Sequence, residues 1–91
     1  MYQQEKKFVV YALYSERYEK IYIGRSSNLN QRMISHNEKG TKGWTAKFRP
    51  WTLVYTEEFD HKHDSIQREK ELKSAKGRAF IWELIRKRNE E

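Results

Sequence analysis

The sequence contains no cysteine, one proline and four glycines in 91 residues. Without cysteine, neither a disulfide framework nor a thiolate zinc site is available, so stability has to come from packing. No apolar run approaches the roughly 20 residues of a membrane helix, and the N-terminus opens into only a short one, Phe8 to Tyr14. An intracellular, cytoplasmic protein with no membrane partner is expected. Aliphatic content is low as well: Leu, Ile, Val and Phe number 18 of 91, near the roughly 20% below which highly charged chains tend to disorder. Three Trp and six Tyr offset this shortage. Such rings bury large areas while keeping a polar handle, so a small core can reach into a polar site. The length then predicts one domain over 1–91, with a core over about 7–88, and excludes a large multi-step enzyme.

The formal net charge of +6 is unevenly placed. Residues 51–91 carry nine basic and nine acidic side chains, so the excess belongs to the first half. Within it, Lys20, Arg25, Arg32, Lys39, Lys42, Lys47 and Arg49 stand against Glu38 alone. The same stretch holds Ser26, Asn28, Thr41 and Trp44, which adds hydrogen-bonding and stacking groups to the cations. That combination suits a phosphate backbone. A solvated, solubilising face is the plainer alternative.

Phe8–Tyr14 and Lys20–Gly24 are β-branched and aromatic, and read as two strands of a hairpin. Pairing Tyr14 with Glu19 across a loop over 15–18 sets Tyr11 directly opposite Tyr22, with both hydroxyls leaving one face. Ser26-Ser-Asn28 offers N-cap chemistry for a helix from Leu29 to about Lys39, with Gly40 as its C-cap. Arg32 and His36 are neighbours on that helix. Residues 40–51 read as a basic loop, and Thr52–Glu57 as a third strand. A second helix starts at Asp60 or Asp64, where Asp64 and Gln67 approximate a capping box, and runs to about Ala75. Gly77 divides it from a third, whose Phe80, Ile81, Leu84 and Ile85 are spaced to cover the sheet. The resulting fold class is a layered α/β (α+β) domain: a small three-stranded antiparallel sheet flanked by about three helices.

One carboxylate is out of place. Helical geometry sets Glu69 between Ile66 and Leu72, within the apolar arc, where a cation, hydrogen-bond donors or a metal must offset its desolvation. A structural ion pair with Lys70, Lys73 or an arginine serves equally well. The His61-Lys-His63-Asp64 cluster, at a polar helix start, reads as a capping region rather than a metal site.

Taken in order, Val9-Val-Tyr11, Tyr22-Ile-Gly24, Arg25-Ser-Ser-Asn-Leu-Asn-Gln-Arg32-Met-Ile-Ser-His36, Lys47–Tyr55, Arg68–Lys73 and Lys76-Gly-Arg78 form a pattern. The chain resembles the GIY-YIG nuclease family, and looks most like its small standalone bacterial members. Val9 stands where the family's name motif begins with Gly. The resemblance implies a metal-dependent endonuclease that hydrolyses nucleic-acid phosphodiesters, with DNA as the polymer it favours and little sequence specificity of its own. It carries over Tyr11, Tyr22, Arg32, His36 and Glu69 as catalytic positions, with Glu69 holding one Mg²⁺ or Mn²⁺. Mg²⁺ keeps most of its waters, so one carboxylate together with phosphate oxygens makes an adequate site. Arg25, Ser26, Asn28, Lys39, Lys42, Lys47 and Arg49 are the expected nucleic-acid contacts. A Tyr11 phenol, with an ordinary pKa of roughly 10, needs Arg32 and the hydrated ion to lower it before it can act as a base. His36 is placed to hydrogen-bond Tyr11 or take up its proton. A nucleic-acid-binding module that keeps the fold without turnover is the rival reading.

Overall fold

Alternating side chains on the first strand decide the layering. The computed structural model describes residues 7–39 and 43–90. Strands β1 (Phe8–Ser15), β2 (Lys20–Ser26) and β3 (Thr52–Phe59) form an antiparallel sheet in the order β2-β1-β3, so β1 is central. Successive side chains of a strand point to opposite faces. Val10 and Ala12 therefore join Ile21 and Ile23 under Leu72, Ile81 and Ile85, whereas Tyr11 and Leu13 pack with Trp51 on the other side. Each fully buried aliphatic side chain contributes about 1.5–3 kcal/mol, which makes the first of these clusters the larger source of stability.

Helices α3 (Lys62–Lys73) and α4 (Ala75–Asn89) cover the first face. On the other lie α1 (Leu29–Ile34), a π-helical turn that continues it over Ser35–Lys39, and the single-turn α2 (Trp44–Lys47). The expected α/β layering with a three-stranded antiparallel sheet is present. No helix of the described residues is long and apolar enough to cross a membrane.

Several local expectations are corrected. The hairpin closes at Ser15 and Lys20, so its loop is 16–19, and Tyr11 faces Gly24 while Tyr22 faces Leu13. Glu19 adopts a left-handed φ of 51°, which lets the loop close one residue later than expected on each strand. A two-residue change of register preserves side-chain parity, so both tyrosines still share a face. The first helix does not run to Lys39 in α geometry but widens into the π turn at Ser35. Part of the predicted basic loop coils into α2, entered from Gly43 at a φ of 95°. His61, not Asp60 or Asp64, occupies the N-cap of α3, and Asp64 lies in its first turn. Phe80 sits at the rim, 42% exposed and edge-on to Tyr55 at 5.6 Å, and leaves Ile81 and Ile85 to the core. The predicted C-cap Gly40 falls outside the described residues.

The α3–α4 boundary is Ser74 rather than Gly77. Its Oγ donates to the Glu71 carbonyl at 2.6 Å and accepts the Gly77 N–H at 3.1 Å, ending one helix and capping the next. Gly77 is inside α4, where a Cβ would lie 2.1 Å from the Glu71 carbonyl oxygen and 2.4 Å from Leu72 Cα. Glycine here permits close approach of two helices. Replacing a helical glycine by alanine ordinarily stabilises a helix by about 1 kcal/mol. Gly77→Ala is expected to do the reverse and destabilise the domain by about 1–3 kcal/mol through overpacking, read as a lower urea midpoint. A raised midpoint would contradict this packing.

Candidate active site

Tyr11 leaves central strand β1 and crosses toward edge strand β2, where its register partner is Gly24. The tyrosine ring occupies the space a side chain would take: a Cβ on Gly24 would lie 2.5 Å from Tyr11 Oη and 2.9 Å from the Tyr22 ring. The Tyr11 side chain is almost fully buried, and its hydroxyl ends 2.9 Å from His36 Nε2 in a hydrogen bond. Tyr22, half-buried on the same face, has its ring centroid 6.3 Å from that of Tyr11 and 4.9 Å from that of His36. Two strands and one helix thus bring Tyr11, Tyr22 and His36 together.

The π turn places His36. Arg49 donates from Nε to the His36 carbonyl at 2.5 Å and from Nη2 to the Ser35 carbonyl at 3.2 Å, meeting acceptors in the widened coil. Asn37 is held on both sides: Trp51 N–H donates to its Oδ1 at 2.7 Å, and its Nδ2 donates to the Trp51 carbonyl at 3.1 Å. Trp51 is itself buried, with Nε1 donating to the Thr45 carbonyl at 2.8 Å. The segment 49–51 is therefore a strap that fixes the imidazole against Tyr11.

Burial sets the protonation states. It raises the pKa of Tyr11, an effect increased by Tyr22 and Glu69 and opposed by Arg32. The expected lowering by cations is thus outweighed in the free protein, and the phenol is protonated. His36 is pushed below 6.5, first by burial and then by Arg32 and Arg49, and is neutral at pH 7. Arg32 is exposed on α1, near enough for its charge to reach both rings. It lines an open cleft of about 360 Å³ with Ser26, Asn28, Gln31 and Ser35.

Glu69 approaches from α3. Its side chain is 19% exposed, with Oε1 3.4 Å from Arg25 Nε and Oε2 3.2 Å from Lys73 Nζ. Its charge is also felt at Tyr11. Of the five sequence-predicted catalytic positions, Tyr11, Tyr22 and His36 are in direct contact, while Arg32 and Glu69 act on Tyr11 through their charges.

The chain matches the GIY-YIG catalytic domain over residues 7–84. It belongs to the GIY-YIG family. The family's chemistry is of nuclease type and acts on nucleic acid. Among curated relatives, the UPF0213 protein of Staphylococcus saprophyticus is 37% identical over 54 residues, covering 59% of this chain and 66% of the relative. That of Natronomonas pharaonis is 38% identical over 56 residues, covering 62% and 66%. That of Limosilactobacillus reuteri is 35% identical over 66 residues, covering 70% and 68%. The chain thus spans about two thirds of the length of the relatives it matches. No solved structure matches it.

The expected nucleic-acid contacts in this GIY-YIG domain divide into groups. Ser26 and Asn28 are local caps that also border the cleft: Ser26 Oγ accepts the Asn28 N–H at 2.9 Å, and Asn28 Oδ1 accepts the Gln31 N–H at 3.2 Å. Lys47 is exposed on α2. Arg25 pairs with Glu69, and Arg49 donates to the carbonyls of the π turn, so in the free protein both also hold the site together. The Lys39 side chain and Lys42 lie outside the described residues. Sequence reasoning missed Asn37 and the strap. Its only signal was a polar residue directly after His36, which no periodicity distinguishes.

A neutral buried His36 has a stability consequence. Because its folded pKa is lowered, the unfolded chain binds more protons below pH 6.5, and stability falls as pH drops through that value. Urea unfolding at pH 7.5 and 5.5 should show a larger loss for the parent than for His36→Gln. Equal losses would place His36 in an unperturbed, solvated environment.

Proposed function

We propose that this GIY-YIG domain is a metal-dependent endonuclease that hydrolyses phosphodiester bonds, with DNA as substrate. The observation that carries the reading is the Tyr11–His36 hydrogen bond, made across Gly24 and lying within electrostatic reach of Arg32 and Glu69. A phenol held protonated against a neutral imidazole can pass its proton to Nε2 as it accepts one from water. Tyr11 is then the group that meets the water, and His36 is where the proton rests. Arg32, exposed at the cleft, offers a planar fork of donors to the charge that develops on the phosphate oxygens. Tyr22 borders the same space and positions the water or the phosphate. The exposed cations Arg32 and Lys47, on α1 and α2, draw the polyanion to this face, and a domain of this size has room for little base readout.

Glu69 fits a divalent ion in donor chemistry: it is a hard oxygen ligand, partly exposed, and Arg25 lies at a loose 3.4 Å. One carboxylate suffices for an ion that retains water and takes phosphate oxygens. When bound there, Mg²⁺ or Mn²⁺ supplies Lewis-acid polarisation of the phosphate and stabilises the leaving oxygen. One observation favours the rival, a binding module without turnover: both Glu69 oxygens already face cations.

Cleavage decides between them. With Mg²⁺ or Mn²⁺ the parent should nick DNA across a panel of branched, flapped and single-stranded substrates. Glu69→Ala should lose cleavage while keeping its circular dichroism spectrum. Arg32→Ala should lose on the order of 100- to 1000-fold in kcat with a smaller change in KM. Salt-sensitive binding without cleavage of any substrate would establish the rival, and parent-like cleavage by Glu69→Ala would remove the metal assignment.

A further inference from the structure

A second surface adjoins this site and has no part in the chemistry described. Trp44, on α2, is 46% exposed, whereas Trp51 already fills the core position nearby. The Trp44 ring lies 6.3 Å from that of Tyr22 at an interplanar angle of 29°, a stacked arrangement that begins at the candidate active site. Beyond it, Phe48 is 4.9 Å from Trp44, and Tyr18, at the hairpin loop and 40% exposed, is edge-on to Phe48 at 5.4 Å. Cations border the strip: Lys20 Nζ lies 5.6 Å from the Phe48 ring centroid, the Arg17 guanidinium lies 5.5 Å from that of Tyr18, and Lys47 is exposed on α2 itself. Among the described residues, no ion pair engages these three cations.

We infer that this strip is a stacking platform for unpaired bases of the nucleic-acid substrate, next to the bond to be cut. The inference rests on the nucleic-acid reading above and deepens it to a substrate class. Exposed rings with interleaved cations bind single strands because bases stack on the rings while phosphates meet the charge. A fully paired duplex keeps its base faces stacked inside and cannot use Trp44 or Tyr18. An acidic protein surface would find the cations but has no flat π faces to match the rings. Two exposed rings set a footprint of about two bases. The preferred substrate is therefore a single strand, flap or junction with unpaired nucleotides beside the scissile phosphate.

Fluorescence anisotropy in EDTA, which prevents cleavage, tests this with a labelled 12-nucleotide oligothymidylate and a blunt duplex. Trp44→Ala should weaken the single strand by about tenfold or more and leave duplex affinity within error. Tyr18→Ala should also weaken the single strand selectively, and Trp44→Phe should restore most of the affinity. If Trp44→Ala fails to fold, Tyr18→Ala decides, because Tyr18 lies at the hairpin loop outside the core. Unchanged single-strand affinity in both alanine variants, or equal losses for both polymers, would overturn the platform while leaving the nuclease reading standing. Binding of neither polymer at low salt would overturn both. A Trp44-dependent dimer in sedimentation equilibrium, with nucleic-acid affinity unaffected, would assign the strip to a second copy of the chain instead. Trp44-dependent binding in EDTA, with no cleavage of any substrate once Mg²⁺ or Mn²⁺ is supplied in excess, would keep the platform and remove the nuclease.

Discussion

Tyr11 reaches His36 because position 24 carries no side chain. Any Cβ there would fall 2.5 Å from the phenol oxygen, so ring and methyl group cannot coexist without a shift of β1 or β2. The close approach links the two strands of the hairpin to the π turn through a single buried hydrogen bond. A buried polar pair is costly to leave half-made, so the arrangement demands that helix and sheet hold fixed positions relative to one another. The strap of Arg49 and Trp51, bonded to Ser35, His36 and Asn37, supplies that fixity from the other side of the imidazole-bearing turn. Widening of the helix at Ser35 follows the same logic, since π turns change the direction of individual side chains within a helix.

The sheet separates structural from chemical work. One face buries aliphatic residues against α3 and α4; the other buries aromatic residues against shorter, less regular elements. The sequence is poor in aliphatic residues and rich in Tyr and Trp, and the rings serve both faces: Tyr11, Tyr22 and Trp51 on the second, Tyr14, Tyr55 and Trp82 around the aliphatic cluster on the first. Glu69 belongs to a helix of the aliphatic face yet influences Tyr11 on the other, because β2 is an edge strand and α3 packs against it. Arg25 marks the crossing point: it alternates with Tyr22, Gly24 and Ser26 along β2 and turns toward α3.

Side-chain parity made much of this legible. Strand alternation put Tyr11 and Tyr22 on one face even though the register was misplaced by two residues, and helical periodicity singled out Glu69 before any contact was seen. What escaped were features that depend on contacts distant in sequence. The π turn is stabilised by Arg49 and Trp51, more than ten residues away, so no local propensity announces it. Gly77 looked like a helix breaker because closeness of a neighbouring helix leaves no mark on a sequence, and Ser74, the true boundary, resembled any exposed serine. Arg25 and Arg49 counted as basic surface until their partners were known. The charge arithmetic located the basic stretch and could not tell which cations were already engaged.

The central claim is that Tyr11, passing over Gly24 to His36, is the reaction centre. Single-turnover cleavage by Gly24→Ala with Mn²⁺ tests it most directly, because the added methyl displaces the phenol and leaves Arg32, Glu69 and the basic surface in place. The account predicts a loss on the order of 100-fold or more in the cleavage rate, with DNA affinity preserved. Cleavage at the parent rate in a folded Gly24→Ala variant would contradict it.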